Sequence, residues 1–425
     1  MARPVEMILI GAGNRGSGVF GQYALDLPHM AKFTAVVEPD KSKRENFALK
    51  HCIPPSMALE NLYQLKLLKH PPGEAVVIAT LESERIEEVE YATANSLHIL
   101  VEKPLGCNAS QVVAVTDIAR DYEKVFIVCH QMRHAPVYEV IKSLIVSGRY
   151  GKVVSIQHSE NLSWHHIAHS FVRGFFNNDR LTPMIIAKSC HDMDLIRYFV
   201  DSKPLRVSSF GSLTVFRQAN APEGAPEFCL DGCPAQATCP YDVLKIYFNA
   251  DTDPAYIRQM GIISSKAELM QSLRSNCFGR CVYRCDNNVV DHQVVQIEFE
   301  NGVTAAFEMS GPNFHERRMT KIAMTNGEIQ CDLKDGVVMA YAFEPMKEEI
   351  IRAQDTASSH AGGDRKIMDS FVQSIMSGQD KYLLTPVRES FESHIMGFAA
   401  EESRKTGSII DLTVYEQHIR AHGRF

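Results

Sequence analysis

The chain of 425 residues has a single tryptophan, no apolar run near the roughly 18 residues that a membrane-spanning helix needs, and no excess of positive charge. Its 44 Lys and Arg stand against 51 Asp and Glu, a net charge of −7. Without a cationic surplus there is no extended surface for nucleic acid or an anionic membrane. The first strand-like run, Met7 to Ile10, lies too close to the amino terminus to follow a signal peptide. These absences predict a soluble, cytoplasmic protein with a small neutral or polar ligand. Eleven cysteines are far fewer than the roughly 8–10% of small secreted scaffolds, and the number is odd, so a disulfide framework is not expected. Gly (25) and Pro (19) are too few for a low-complexity chain. What is present is a core-forming composition, 45% hydrophobic and 22% charged, at a length that suggests about two or three domains.

Through the first 130 residues short apolar runs alternate with amphipathic stretches. Glu6 to Ile10, Thr34 to Val37, Ala75 to Thr80, Leu97 to Val101 and Val125 to Cys129 read as buried parallel strands. Helical patterns separate them, as in a doubly wound α/β sheet, which places a dinucleotide-binding domain at residues 1–130. The texture then changes. Val153 to Glu160, Arg206 to Phe216, Gln293 to Glu300, Val303 to Met309 and Lys321 to Thr325 read as strands of a largely antiparallel α+β domain over 131–364. Helical stretches at Arg365 to Met376 and Pro386 to Thr406, within a last segment 365–425, are expected to pack back on the body.

Gly11-Ala12-Gly13-Asn14-Arg15-Gly16 follows the first strand and opens a helix. In that context a GxGxxG loop lets the backbone approach a pyrophosphate, which the helix amino terminus receives. Glu38 ends the second strand, about 22 residues after Gly16, where a carboxylate would bind ribose hydroxyls. A glycine turn without a ligand is the alternative. Glu38 favours NAD over NADP by repelling a 2′-phosphate, although Lys41, Lys43 and Arg44 follow closely. Glu102-Lys103-Pro104 closes the fifth strand, at the edge where open α/β sheets bind ligands. Glu102 is assigned with the cofactor-binding residues, and Lys103 is placed to reach a substrate, a solvent-facing Lys-Pro turn being the alternative.

GxGxxG, a strand-end acid, the EKP motif and a later helix carrying His191-Asp192-Met193-Asp194 together resemble the Gfo/Idh/MocA oxidoreductases, over nearly the whole chain. The resemblance implies a Rossmann domain joined to a domain with a large open-faced, mainly antiparallel sheet, homo-oligomers formed through that open face, and oxidation or reduction of one carbon of a sugar or cyclitol with NAD(P). It carries the EKP lysine onto Lys103 and the motif D-x-G-x-H-x-x-D onto Ala187, Ser189, His191 and Asp194. The histidine and second aspartate are kept, and the first aspartate is lost. The resemblance therefore makes Lys103 and His191 the catalytic pair, His191 as proton acceptor. It puts Asp194 at the substrate, with Lys188 beside the lost aspartate either replacing its contact or pointing to solvent. Within the family a glycoside-cleaving enzyme working by transient ring oxidation, and outside catalysis an NAD-sensing regulator, are the rival readings.

Five histidines fall between His158 and His191. The segment from Trp164 to Arg173 reads as a polar, aromatic lining for a polyhydroxylated substrate, with Trp164, His165, His169 and Arg173 as candidates, or as a loop at the domain seam. Arg133 is assigned no chemical role. Asp364 is expected to cap the helix that follows it, and His360 is a minor binding candidate. Cys229-x3-Cys233-x5-Cys239 and Cys277-x3-Cys281-x3-Cys285 offer a closed four-sulfur zinc site, Cys229, Cys233 and Cys239 with Cys281 or Cys285. Free thiols are the alternative.

Overall fold

The computed structural model describes residues 3–249, 252, 254–261, 263–353, 362–379, 385 and 387–422. Six strands form a parallel sheet: β1 (Val5–Ile10), β2 (Ala31–Val37), β3 (Ala58–Leu59), β4 (Ala75–Ile78), β5 (His98–Val101) and β6 (Phe126–Val128), in the order β3-β2-β1-β4-β5-β6. The order reverses between β1 and β4, and a ligand crevice opens at such a switch point. The central parts of the strands are apolar runs because helices cover both faces. Ile8, Val76, Ile99 and Val101 are fully buried, each worth about 1.5–3 kcal/mol relative to exposure.

Nine strands form the second sheet: β7 (Val153–Ser163), β8 (Pro204–Ser212), β9 (His292–Phe299), β10 (Thr304–Asn313), β11 (Arg317–Met324), β12 (Gly327–Asp332), β13 (Val337–Ala342), β14 (Lys347–Arg352) and β15 (Ile410–Asp411). Their order is β14-β13-β12-β11-β7-β10-β9-β8-β15. All neighbours are antiparallel except β7 and β10, which run parallel. Burial alternates along β9 and β10, so one face packs against helices and the other carries Phe210, Val294, Met319 and Ile350 into solvent. The strands β12 to β14 have no counterpart among the runs identified in the sequence.

Helix Gly363–Ser377 lies against β1 and the glycine-loop helix, and helix Val387–Thr406 touches β8, helix Cys190–Val200 and helix Ala109–Ile118. The carboxyl-terminal helices thus bind both sheets into one body. No described helix is long and apolar enough to cross a membrane.

Candidate active site

The glycine loop is shaped by contact. Gly11 has φ +90°, and a Cβ there would stand 2.7 Å from the Ala79 carbonyl oxygen; a Cβ at Gly16 would fall 1.9 Å from that of Gly11. At Gly13 a Cβ would meet nothing within 4 Å, which leaves open space above the loop. Glu38 is buried at the end of β2. Its Oε2 accepts from the Ala12 amide at 2.8 Å and its Oε1 from that of Asp40 at 3.0 Å. A carboxylate fixed beside an open glycine loop, at the start of a helix whose first amides lack intrahelical carbonyls, fits an NAD-type dinucleotide. Arg44 Nη1 donates to the carbonyls of Glu38 and Pro39, which makes it the cation nearest this carboxylate's backbone, while Lys41 and Lys43 pair on the surface with Glu45 and Asp40.

Arg15 and Glu102, expected at the cofactor, are bonded to each other. Arg15 Nε donates to Glu102 Oε1 at 2.6 Å, and its Nη1 and Nη2 donate to Asp364 at 3.1 and 2.8 Å. They tie the glycine loop to the EKP turn. Asp364 therefore does not cap its helix: the cap position is Gly362, and the carboxylate is taken by the Arg15 fork, a stronger partner than a backbone amide. His360 lies outside the described residues.

At the carboxyl ends of β4 and β5, buried Arg85 donates to the carbonyls of Thr80, Glu102 and Pro104 and fixes the EKP turn. Lys103 Nζ reaches across to the Ala187 carbonyl at 3.0 Å, at the position where the family motif has its lost aspartate. One turn on, helix Cys190–Val200 presents His191 beside His130, their ring centroids 5.9 Å apart, and His130 sits 5.5 Å from His394. Ring nitrogens of His130 and His191 and the Cys190 thiol lie within 4.8 Å of one another, the one such group of possible metal ligands among the described residues. Burial, then Arg133 and Lys103, push the His130 imidazole well below its ordinary value; burial pushes the Cys190 thiol up to about 12 against the pull of Lys103. Lys103 thus stands beside a neutral His130 ring and a protonated Cys190 thiol. Such a group suits moving a proton. His130, two residues past β6 at the ligand-binding edge, was not picked out from sequence, although that position was its signal.

The rest of the candidate residues divide. Asp194, expected at the substrate, is fully buried with both oxygens bonded to Arg133 at 2.7 Å, an ion pair that anchors its helix. Lys188 does not point freely to solvent: its Nζ lies 3.0 Å from Glu160 and 3.3 Å from Glu316, and Glu316 lies 2.8 Å from His166 Nδ1. Burial pushes Glu160 up to about 7 against Arg318 and Lys188. Burial also opposes the charge on Glu316, but Lys188 and His166 hold that carboxyl far below the usual range. On the same side, Asp192 takes His158 Nε2 at 2.9 Å and Arg318 Nε at 2.8 Å. Trp164 and His165 stay partly exposed, next to this polar chain.

His169 and Arg173 are not part of it. The π-helix Ile167–Arg173 turns them into the interior. His169 is stacked between Tyr256 and Phe278 at 4.1 and 4.6 Å and bonds Tyr247 and Gln259, and burial takes its pKa down to about 3. Arg173 bonds the carbonyls of Arg280 and Tyr241. Both face the cysteine-bearing segment, which packs behind them. A depression of about 580 Å³ lies on the second sheet's open face, lined by Gln157, Val294, Gln296, Met319 and Met339; neither Lys103 nor His191 lines it.

Residues 5–130 match the model of an oxidoreductase family with an NAD-binding Rossmann fold, GFO_IDH_MocA. Over this amino-terminal domain the chain matches the Gfo/Idh/MocA-type oxidoreductases. YteT of Bacillus subtilis, an oxidoreductase by its name, is 19% identical over 72% of this chain and 73% of its own. The trans-1,2-dihydrobenzene-1,2-diol dehydrogenase of Xenopus tropicalis is 30% identical, but over 29% of this chain and 36% of its own. Among solved structures, levoglucosan dehydrogenase in complex with NADH and levoglucosan superimposes with a TM-score of 0.69 at 16% identity, covering 96% of this chain and all of the other. The transcriptional regulator Gal80p of Kluyveromyces lactis gives 0.70 at 15%, covering 97% and 92%. At these identities the superpositions establish a shared fold.

Proposed function

We propose that this protein is an NAD-dependent dehydrogenase of a secondary alcohol in a sugar, sugar derivative or cyclitol, as a member of the Gfo/Idh/MocA-type oxidoreductases would be. The observation that supports the reading is the bond from Lys103 Nζ to the Ala187 carbonyl, four residues before His191, beside the strand ends that border the glycine loop. Bound nicotinamide supplies the hydride acceptor or donor. The protein's part is to hold the alcohol, take its proton on the His191 imidazole and stabilise the developing oxyanion with the Lys103 ammonium. Trp164, His165, His166 and the Lys188–Glu316 pair offer a polar and aromatic wall to a neutral polyol, which needs donors and acceptors but no net charge. Relatives point the same way: scyllo-inositol 2-dehydrogenase (NAD(+)) of Bacillus subtilis, 24% identical over half of this chain and 59% of its own, acts by its name on a cyclitol.

The test is a screen of sugars, anhydrosugars and cyclitols with NAD, following nicotinamide absorbance. Turnover with a polyol supports the reading. Release of an alcohol from a glycoside with no net change in NAD would replace it by the glycoside-cleaving reading. Tight NAD binding with no turnover of any kind would leave the regulator, in keeping with the Gal80p fold. The same reading gives a homo-oligomer in which a second copy covers Phe210, Val294 and Met319 on the open sheet face. Light scattering decides this, a monomer at micromolar concentration being the contrary result.

A further inference from the structure

Between β8 and β9, the described residues of 213–291 form only short helices, Val243–Tyr247, Pro254–Gln259 and Lys266–Ser272 among them, and one isolated antiparallel bridge, Phe228 to Arg280. Six of the chain's eleven cysteines lie here. A segment with so little regular structure buries little apolar area of its own, the situation in which small modules use metal or disulfide staples.

The bridge draws the two cysteine groups together. The Cys229 amide donates to the Gly279 carbonyl at 3.0 Å and the Cys281 amide to that of Glu227 at 2.8 Å. In an antiparallel pair this register places Cys229 and Cys281 on one side of the ribbon. Cys229, Cys233, Cys239 and Cys281 then line one cavity of about 10 Å³, with Tyr241 and Tyr283, room for a single ion or water. Cys285 is outside it, its thiol directed to the Cys281 carbonyl at 3.3 Å, and Cys277 is exposed.

A second observation comes from Arg173. Its side chain is 2% exposed; Nε donates to the Arg280 carbonyl at 2.7 Å, and Nη2 to the Tyr241 carbonyl at 2.8 Å and to Cys229 Sγ at 3.6 Å. Among the described residues no carboxylate pairs with it, and its buried Nη1 meets no hydrogen-bond acceptor. A guanidinium cannot shed its proton, and a buried unpaired charge is strongly unfavourable. The acidic groups that bear on Arg173 include the phenol of Tyr247 and the thiols of Cys229 and Cys285; the Asp242 carboxylate also lines the cavity, where its Oδ1 accepts from the Leu244 amide at 3.0 Å. At neutral pH a phenol and a thiol ordinarily keep their protons, so neither the phenol nor the thiols supply the missing charge unaided.

We propose that Cys229, Cys233, Cys239 and Cys281 form a structural zinc site, and that its thiolates are the counter-charge of buried Arg173. Zn²⁺ displaces four thiol protons to solvent, and the resulting set carries two negative charges next to one positive one. The cavity admits one ion and not an iron–sulfur cluster. No three of these sulfurs lie within 4.8 Å of one another, so binding draws the loop inward to Zn–S distances of about 2.3 Å. With four thiolates there is no open position for substrate. The site is one of folding, independent of the hydride chemistry.

Metal analysis of the full chain, purified without added metal, is expected to find about one zinc per chain, retained in Cys285→Ser and Cys277→Ser and lost from Cys239→Ser and Cys281→Ser. If the last two do not fold, the wild-type protein reconstituted with Co²⁺ decides the matter. Four thiolates give intense sulfur-to-cobalt charge-transfer absorption, and a spectrum of mixed nitrogen and sulfur ligands would overturn the site. Arg173→Met is expected to release zinc to a chromogenic chelator faster than wild type, with Arg173→Lys in between. Unchanged release would remove the counter-charge role. Zinc that persists in both Cys239→Ser and Cys281→Ser, iron in place of zinc, a disulfide among the four residues, or a folded native protein with near-zero metal and all four thiols titrating freely would each overturn the proposal.

Discussion

Arg133 holds Asp194 through two hydrogen bonds of 2.7 Å inside the protein, and its remaining nitrogen bonds Glu389 at 2.6 Å. One side chain thereby joins the segment after β6, the helix that bears His191, and the carboxyl-terminal helix Val387–Thr406. His191 stands one turn before Asp194 on that helix, so this ion pair sets the height of the imidazole over the EKP turn. Arg133→Met strands a buried carboxylate and is expected to lower stability by about 3–5 kcal/mol. Urea unfolding measures this. The double variant Arg133→Met/Asp194→Leu should recover much of the loss, as expected of a structural pair. If Asp194→Asn instead raises KM and leaves the unfolding midpoint in place, Asp194 is a substrate ligand after all.

His191→Ala is expected to reduce kcat by about 10² to 10⁴, the range for a positioned acid–base group, with NAD affinity nearly unchanged. Lys103→Ala should behave alike, and Lys103→Arg should recover little, since the ammonium is fitted to the Ala187 carbonyl at 3.0 Å. Steady-state kinetics with the substrate found in the screen, beside calorimetric titration of NAD, separates the two effects. A loss below about tenfold in a folded His191→Ala protein would take this histidine out of the proton step.

What could be read from the sequence was local. The parallel strands stand out because strands covered on both faces are unbroken apolar runs, and Gly11 to Gly16 because a glycine loop needs only its own spacing. Strands β12 to β14 were hidden: each has six residues, and the outermost, Lys347–Arg352, carries Lys, Glu and Arg, as solvent-facing edge strands do. The direction of a polar side chain was hidden for another reason. Trp164, His165, His169 and Arg173 look alike in sequence, and only the packing of Tyr247, Tyr256 and Phe278 around His169 and of Tyr241 and Arg280 around Arg173 turns these two inward. Arg133 and Asp194 found each other across 61 positions, which no motif spacing reports.

NAD is expected to bind more tightly than NADP, because the Glu38 carboxylate sits beside the glycine loop and would repel a 2′-phosphate. Arg44 bears on the outcome, since its guanidinium rests on the carbonyls of Glu38 and Pro39. Calorimetric titration of both cofactors into wild type and Glu38→Ser tests this. The variant should shift the preference toward NADP, with Arg44 as the phosphate partner. Equal affinities in wild type would mean that Arg44 already outweighs the carboxylate.

The buried histidines set the response to acid. Burial lowers His169 and His394 to about 3, His51, His98 and His134 to about 4, and His130 well below its ordinary value. In the unfolded chain each imidazole titrates near 6.5. Below that pH the unfolded state takes up protons that the folded state refuses, so this stability is complete above about pH 6.5 and is lost as pH falls toward 4. Two carboxyls act in the opposite sense: burial raises Glu88 and Glu160 to about 7, and the stability they add is present at low pH and lost as pH rises through 7. Six histidines outweigh two carboxyls, so the melting temperature should drop steadily between about pH 6.5 and 4.5. Thermal denaturation at half-unit intervals checks it. His394→Asn, which keeps a donor near the Ser390 carbonyl, should start from a lower melting temperature and decline less steeply. A melting temperature that stays level or rises from pH 6.5 to 5 would show that these rings take up protons inside the fold.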